Sequence, residues 1–155
     1  MASSVITAVQ ARWAAIFNQA GDPPLYFDEA PQTDATGTQE RVPYAVLRDA
    51  TGLTPEYQSD DGAVETGVIE VEVIATTMAV LDGFVARAKW GGQAPAQRAG
   101  LDWFALSLTT SPYYPVSLMR TNERRSYAGF DYLGARCHSC VLTYAVTVGV
   151  AAAGT

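Results

Sequence analysis

The one histidine of this 155-residue chain lies between its two cysteines, in Cys137-His138-Ser139-Cys140, and these three side chains are its whole stock of thiol and imidazole ligands. A structural zinc ion takes four Cys or His ligands in a tetrahedron. The flanking residues read as a strand, where alternation sends Cys137 and Cys140 to opposite faces, against both a shared metal and a mutual disulfide. A redox C-x-x-C instead opens a helix, whose dipole lowers the thiol pKa. The expectation is two reduced thiols, with Cys140 buried as a small hydrophobe. A zinc ion completed by carboxylates or by neighbouring subunits is the competing reading.

Other chemistry is poorly supplied. With one histidine and no G-x-S-x-G elbow, a nucleophilic triad has no obvious frame, and a hydrolase-like site around His138 stands only as a minor alternative. Asp28 with Glu29, and Asp60 with Asp61, are adjacent pairs that splay apart in extended chain, so each is expected as solvated loop carboxylates and not as an acid and base pair. Gly91-Gly92 and Gly129 lack the lysine or the glycine spacing of a phosphate-binding loop. No catalytic residue, cofactor or metal is expected. Arg120, Arg124, Arg125, Tyr113, Tyr114 and Tyr127 form a different constellation. Arginine and tyrosine combine large contact area with polar ends, the composition of a subunit or partner interface. A long hairpin with ordinary cross-strand Arg and Tyr contacts is the alternative.

The elements that would position these groups follow from periodicity. Ile6, Val9, Trp13, Ile16 and Phe17 fall at helical spacing, predicting a helix over about Ser4 to Gln19, capped by Ser3 or Ser4 and ended by Gly21, Pro23 and Pro24. Leu25 to Phe27 and Tyr44 to Arg48 read as short strands, and Thr54 to Gln58 as a weak third. Asp60, Asp61 and Gly62 supply a turn. In Gly67 to Ala75, Ile69, Val71, Val73 and Ala75 oppose Glu70 and Glu72, predicting a strand with one buried face. Thr76 or Thr77 caps a second helix striped by Met78, Leu81, Phe84, Val85 and Ala88 and closed by Gly91 and Gly92. Leu101 to Thr109 reads as a strand. Val116 to Thr121 and Cys137 to Val148 read as a final antiparallel pair, and Gly149 to Thr155 as a frayed tail. The fold class expected is α+β: a single domain over residues 1 to 155, with a mainly antiparallel sheet packed against two helices.

Charge narrows the function. The net charge is −6, opposite to the basic footprint of a protein that grips phosphates. Residues 22 to 72 hold twelve acidic and two basic side chains, whereas residues 82 to 136 hold four acidic and seven basic. Such polarity allows head-to-tail contact between copies, the geometry that closes into rings. Charged residues make up 17% of the chain, below the ~25% of typical domains, so some surface is expected to meet partners. No run approaches the ~18 apolar residues of a membrane span. The N-terminus lacks a basic n-region and a long apolar core, so it is expected to remain in the mature protein.

The helix over 4 to 19, then LYFDEAP, VPYAVLRD, GVIEVEVIA and TMAVLDGFVARAKW, occur in an order that resembles the tail-terminator, or tail-completion, family of long-tailed bacteriophages. The likeness covers about the first 90 residues. It rests on the aromatic strand ending at Pro31, on Pro43-Tyr44 opening the next strand, and on a strand running directly into an amphipathic helix. The loop from Ala50 to Thr66 and the Arg/Tyr segment are longer than that pattern. The resemblance implies a structural virion protein at the head-tail junction, assembled in the host cytoplasm. It would form a hexameric ring that caps the tail tube protein, stops tube growth and meets the head-tail connector or neck protein. DNA would pass through the bore without specific binding, and no membrane is involved. Another neck or head-completion role, or a non-viral adaptor module, are the alternatives.

Overall fold

The i, i+4 repeat of Val5, Val9 and Trp13, continued by Ile16, buries one side of α1 (Ser3–Ile16) completely. The computed structural model describes residues 3–30, 42–59, 62–91, 100–103, 113–126, 129–132 and 135–151. After α1 come β1 (Leu25–Phe27), β2 (Tyr44–Ser59), β3 (Gly62–Ala75), α2 (Met78–Trp90), one turn of 3-10 helix (Leu101–Trp103), β4 (Tyr113–Arg125), β5 (Phe130–Tyr132) and β6 (Ala135–Ala151). The first helix stops three residues before the expected Gln19. There the chain turns on Gly21, at φ 85°, and the Pro23 carbonyl accepts the buried Trp13 indole N–H at 2.7 Å.

Five strands form one sheet in the order β1-β2-β3-β6-β4, and β5 adds a short pairing to the start of β6. Every pairing is antiparallel except β1 with β2, where Leu25, Tyr26 and Phe27 run parallel to Ala45, Val46 and Leu47. Both helices cover one face, where Ala45, Leu47, Ile69, Val71, Val73, Cys140, Leu142, Tyr144, Val146 and Val148 meet Val5, Val9, Trp13, Ile16, Leu81 and Val85. This is the α+β domain expected, two helices on a mostly antiparallel sheet. Thr77 caps α2 through its hydroxyl, which accepts from the Val80 N–H, and Gly91 closes it at φ 85° with its N–H on the Arg87 carbonyl. Among the described residues no helix is long and apolar enough to cross a membrane.

The strands outrun the helices. A fourteen-residue strand such as β3 runs to roughly 45 Å, whereas a fourteen-residue helix such as α1 runs to roughly 21 Å. Consequently β3 alternates between buried and half-buried only from Gly67 onward, and residues 62 to 66 are half-buried throughout. The two strands expected at Tyr44 to Arg48 and Thr54 to Gln58 are one strand, β2, with register shifts after Asp49, Thr51 and Pro55. Its outer half, from Ala50 to Glu56, is exposed except at Leu53, which packs on the core.

Two further expectations are corrected. Leu101 to Trp103 form a 3-10 turn and not the start of a strand, and residues 104 to 109 lie outside the described residues. The chain crosses the end of α2 there so closely that a Cβ on Gly100 would lie 2.3 Å from the Lys89 carbonyl oxygen, and the turn drops Leu101 into the core. Gly149 to Ala151, expected to fray, continue β6 and pair with Val64, Ala63 and Gly62. The start of β3, distant in sequence, supplies backbone groups that a free tail would leave to water. Asp60, Asp61, Gly92 and residues 152 to 155 lie outside the described residues.

Candidate functional site at the β4 edge

Regular alternation would put Arg120 and Glu123, three residues apart, on opposite faces of β4. A register shift between Arg120 and Asn122 inserts Thr121 as an unpaired residue, and beyond it Glu123 and Arg125 return to the face of Arg120. All three then look toward α2 and the 3-10 turn. Asp102 accepts from Arg120 Nε, at 3.2 Å on Oδ1 and 3.0 Å on Oδ2, and from the Tyr144 hydroxyl at 2.7 Å. Glu123 Oε2 accepts from Arg120 Nη1 at 3.2 Å and from Lys89 Nζ at 3.1 Å, while its Oε1 accepts from Arg125 Nη2 at 3.0 Å. Arg125 reaches Asp82 as well.

Three acids and three bases therefore close a neutral chain that ties β4 and β6 to α2 and the 3-10 turn. Burial alone would raise the Glu123 carboxyl, but hydrogen bonds from Lys89 and Arg125 and their charges outweigh it and hold it below the ordinary glutamate value. Burial followed by the Asp102 hydrogen bond pushes the Tyr144 hydroxyl far up, so it stays protonated. Burial, reinforced by Glu123, pushes the Cys140 thiol up to about 11. With every charge answered inside the molecule, the cluster is built as a clamp.

This arrangement separates the residues expected at an interface. Arg120 and Arg125 are spent inside the clamp, a role that sequence reading did not assign them. Arg124 is exposed, on the opposite face, opposite Val141 of β6. It is the one cation among the described residues without a recorded ion-pair or hydrogen-bond partner. Tyr113 and Tyr114 belong to the first residues of β4, and Tyr127 lies outside the described residues. Asp82, Lys89, Asp102, Glu123 and Tyr144 were missed because no sequence spacing joins them.

The Cys137 to Cys140 segment divides as alternation requires. Cys140 lies in the core beneath the helices, whereas Cys137 lies across the sheet with Tyr44, Val46 and Ile74, and both are free thiols. Among the described residues no group of three His, Cys, Asp or Glu side chains is placed to hold a metal ion. Asp28 and Glu29 are exposed loop residues, Asp28 at φ 72°.

A second ionic contact joins the helices. Arg87 donates to Asp22 at 2.7 and 3.0 Å and to the Ile16 carbonyl at 2.9 Å, with its guanidinium 4.6 Å from the Phe17 ring centre. The Arg87 hydrogen bond holds the Asp22 carboxyl below its ordinary value against burial, helped by the Gln19 N–H. Arg87 thereby caps the Ile16 carbonyl at the C-terminus of α1.

No protein-family model matches the chain, and no curated protein matches it.

Proposed function

We propose that this chain is a structural subunit that assembles as a ring at the end of a phage tail tube, halts tube growth and joins the tail to the head connector. The observation that carries this reading is the outer half of the β2–β3 hairpin. It extends the sheet well past the helices, is exposed along β2 and bears Glu56 and Glu65. A lone subunit gains little core from such an arm. An arm of this kind serves a subunit that reaches its neighbour, where an acidic strand edge finds an arginine-bearing surface. The element order of the first 90 residues and the uneven charge along the chain support the same reading.

Arg124, exposed and without an ion-pair partner among the described residues, is the arginine available for such a contact, whereas Arg120 and Arg125 are held in the clamp. Negative-stain imaging of the purified protein mixed with uncapped tail tubes tests the proposal. A ring of density at one end of each tube, with tube length arrested on addition, is the expected result. Tubes that keep growing with bare ends would overturn it.

A further inference from the structure

We infer that the helix-free face of the sheet is a contact between two copies of this chain, related by a two-fold axis parallel to β6. Among the described residues this face is covered only at one end, where Tyr26, Ala30 and Val42 pack on Tyr44, Val46, Ile74 and Cys137. From the margin of that end, at buried Val46, the strand register sets out rows across the sheet. One row is Val46, Glu72, Val141, Arg124; the next is Arg48, Glu70, Thr143, Asn122; the third brings Val68, Ala145 and Met119 together. On this face β6, along which the axis lies, carries the small residues Val141, Thr143, Ala145 and Thr147, which allow a second sheet to approach to the usual ~10 Å. Met119 beside them is 65% exposed, the most exposed large apolar side chain described.

The charges choose the occupant. Acidic Glu70 and Glu72 stand on β3, on one side of β6, and Arg124 stands on β4, on the other. A half turn about an axis along β6 exchanges the two sides at constant height. Glu72 of each copy then faces Arg124 of the other, with Glu70 one row away, and β6 lies over β6. The usual −30° between packed sheets displaces the ends of such a contact more than its centre, where these rows lie. Among the described residues neither Glu70 nor Arg124 has an ion-pair partner, and Glu72 gives one oxygen to Arg48 at 2.6 Å. A polymer of one sign, such as nucleic acid, would meet both signs here, whereas a second copy meets each with its opposite.

About such an axis only β3, β6 and β4 overlap, and three strands by four rows is on the order of 400 Å² per copy, short of the ~800 Å² per partner of a stable interface. The contact is therefore weak, reversible and salt-sensitive. It uses the face of the sheet and not the hairpin arm, but it shares Arg124 with the ring contact proposed above, so the number of copies in the assembly tells the two contacts apart.

Sedimentation equilibrium from about 10 µM to about 1 mM at low salt tests it. The wild-type chain should approach twice the 16.5 kDa of the monomer as concentration rises. Arg124→Glu and Glu72→Arg, each confirmed folded by circular dichroism, should each raise the dimer dissociation constant roughly tenfold. Mixing the two variants restores both charge pairs, as does the double variant within one chain, and each should recover the dimer. Glu70→Gln, which leaves the Arg48–Glu72 pair intact, should weaken it as well. A chain that stays monomeric throughout, or charge reversals without effect, or no recovery on mixing, would overturn the inference. Association that runs past the dimer and responds to the same reversals would assign these charges to a ring contact instead, and would also overturn it.

Discussion

Gly83 lies in the interior of α2 on its exposed side, and a Cβ built there meets nothing within 4 Å. Glycine inside a helix costs about 0.5–1 kcal/mol relative to alanine, through the extra freedom it loses. Gly83→Ala should raise stability by that amount, read as a higher urea midpoint at unchanged slope. The thiols make a second test at this scale. Cys137 and Cys140 are fully buried, and the Cys140 thiol is pushed up to about 11, so neither should react with a thiol reagent near pH 8 until the protein unfolds. Two groups should then titrate. Tyr144→Phe removes the hydroxyl that Asp102 accepts at 2.7 Å, in a place that water does not reach. The loss should be about 1–2 kcal/mol, below that of a lone charged hydrogen bond because Arg120 still serves both Asp102 oxygens.

The elements are held together by two ionic contacts of different kinds. Arg87 binds Asp22 through two nitrogens and also takes the Ile16 carbonyl, so it joins the end of α1 to the last turn of α2 with fixed geometry. A double-mutant cycle of Asp22→Asn and Arg87→Gln should give a coupling of about 1–2 kcal/mol, and a value near zero would mean that the carbonyl contact alone matters. The β4 clamp differs in depending on one extra residue. Thr121 restores Arg120 and Glu123 to the same face, so the strand that carries the clamp on one side presents Arg124 and Met119 on the other. An edge strand thus serves the core and an exposed surface at once, through a single irregularity in its ladder.

Across the whole molecule the titrating groups bound the pH range of stability. Glu123 and Asp22 are lowered on folding, so the stability they contribute is full above the ordinary carboxylate range and lost as pH falls through their lowered values. Cys140 and Tyr144 are raised, so theirs is full below the unfolded values and, for Cys140, is lost between 9.0 and about 11. The thermal midpoint should form a plateau through neutral pH that falls away at both ends. A maximum in the acid range would contradict this assignment. At the same scale the charge is segregated: the clamp neutralises three cations internally, whereas Glu56 of the outer hairpin and Arg124 stay exposed.

Where a sheet face is packed under helices, burial writes itself into the order of residues, and Gly67 to Ala75, the stripe on α2 and the split of Cys137 from Cys140 are all legible in the sequence for that reason. The rest of β2 and β3 is held by backbone hydrogen bonds over surfaces only half removed from water, which impose no alternation, so in sequence the outer hairpin reads as a turn and a weak strand. The last residues of β6 likewise read as a loose end, because the strand that pairs with them lies far away along the chain. The clamp depends on a bulge and on groups from four separate elements, and no spacing along the chain encodes their meeting. Sequence alone determined the α+β class and the core; the tertiary structure decided which arginines are consumed inside and which face outward, because only the strand register assigns a side chain to a side.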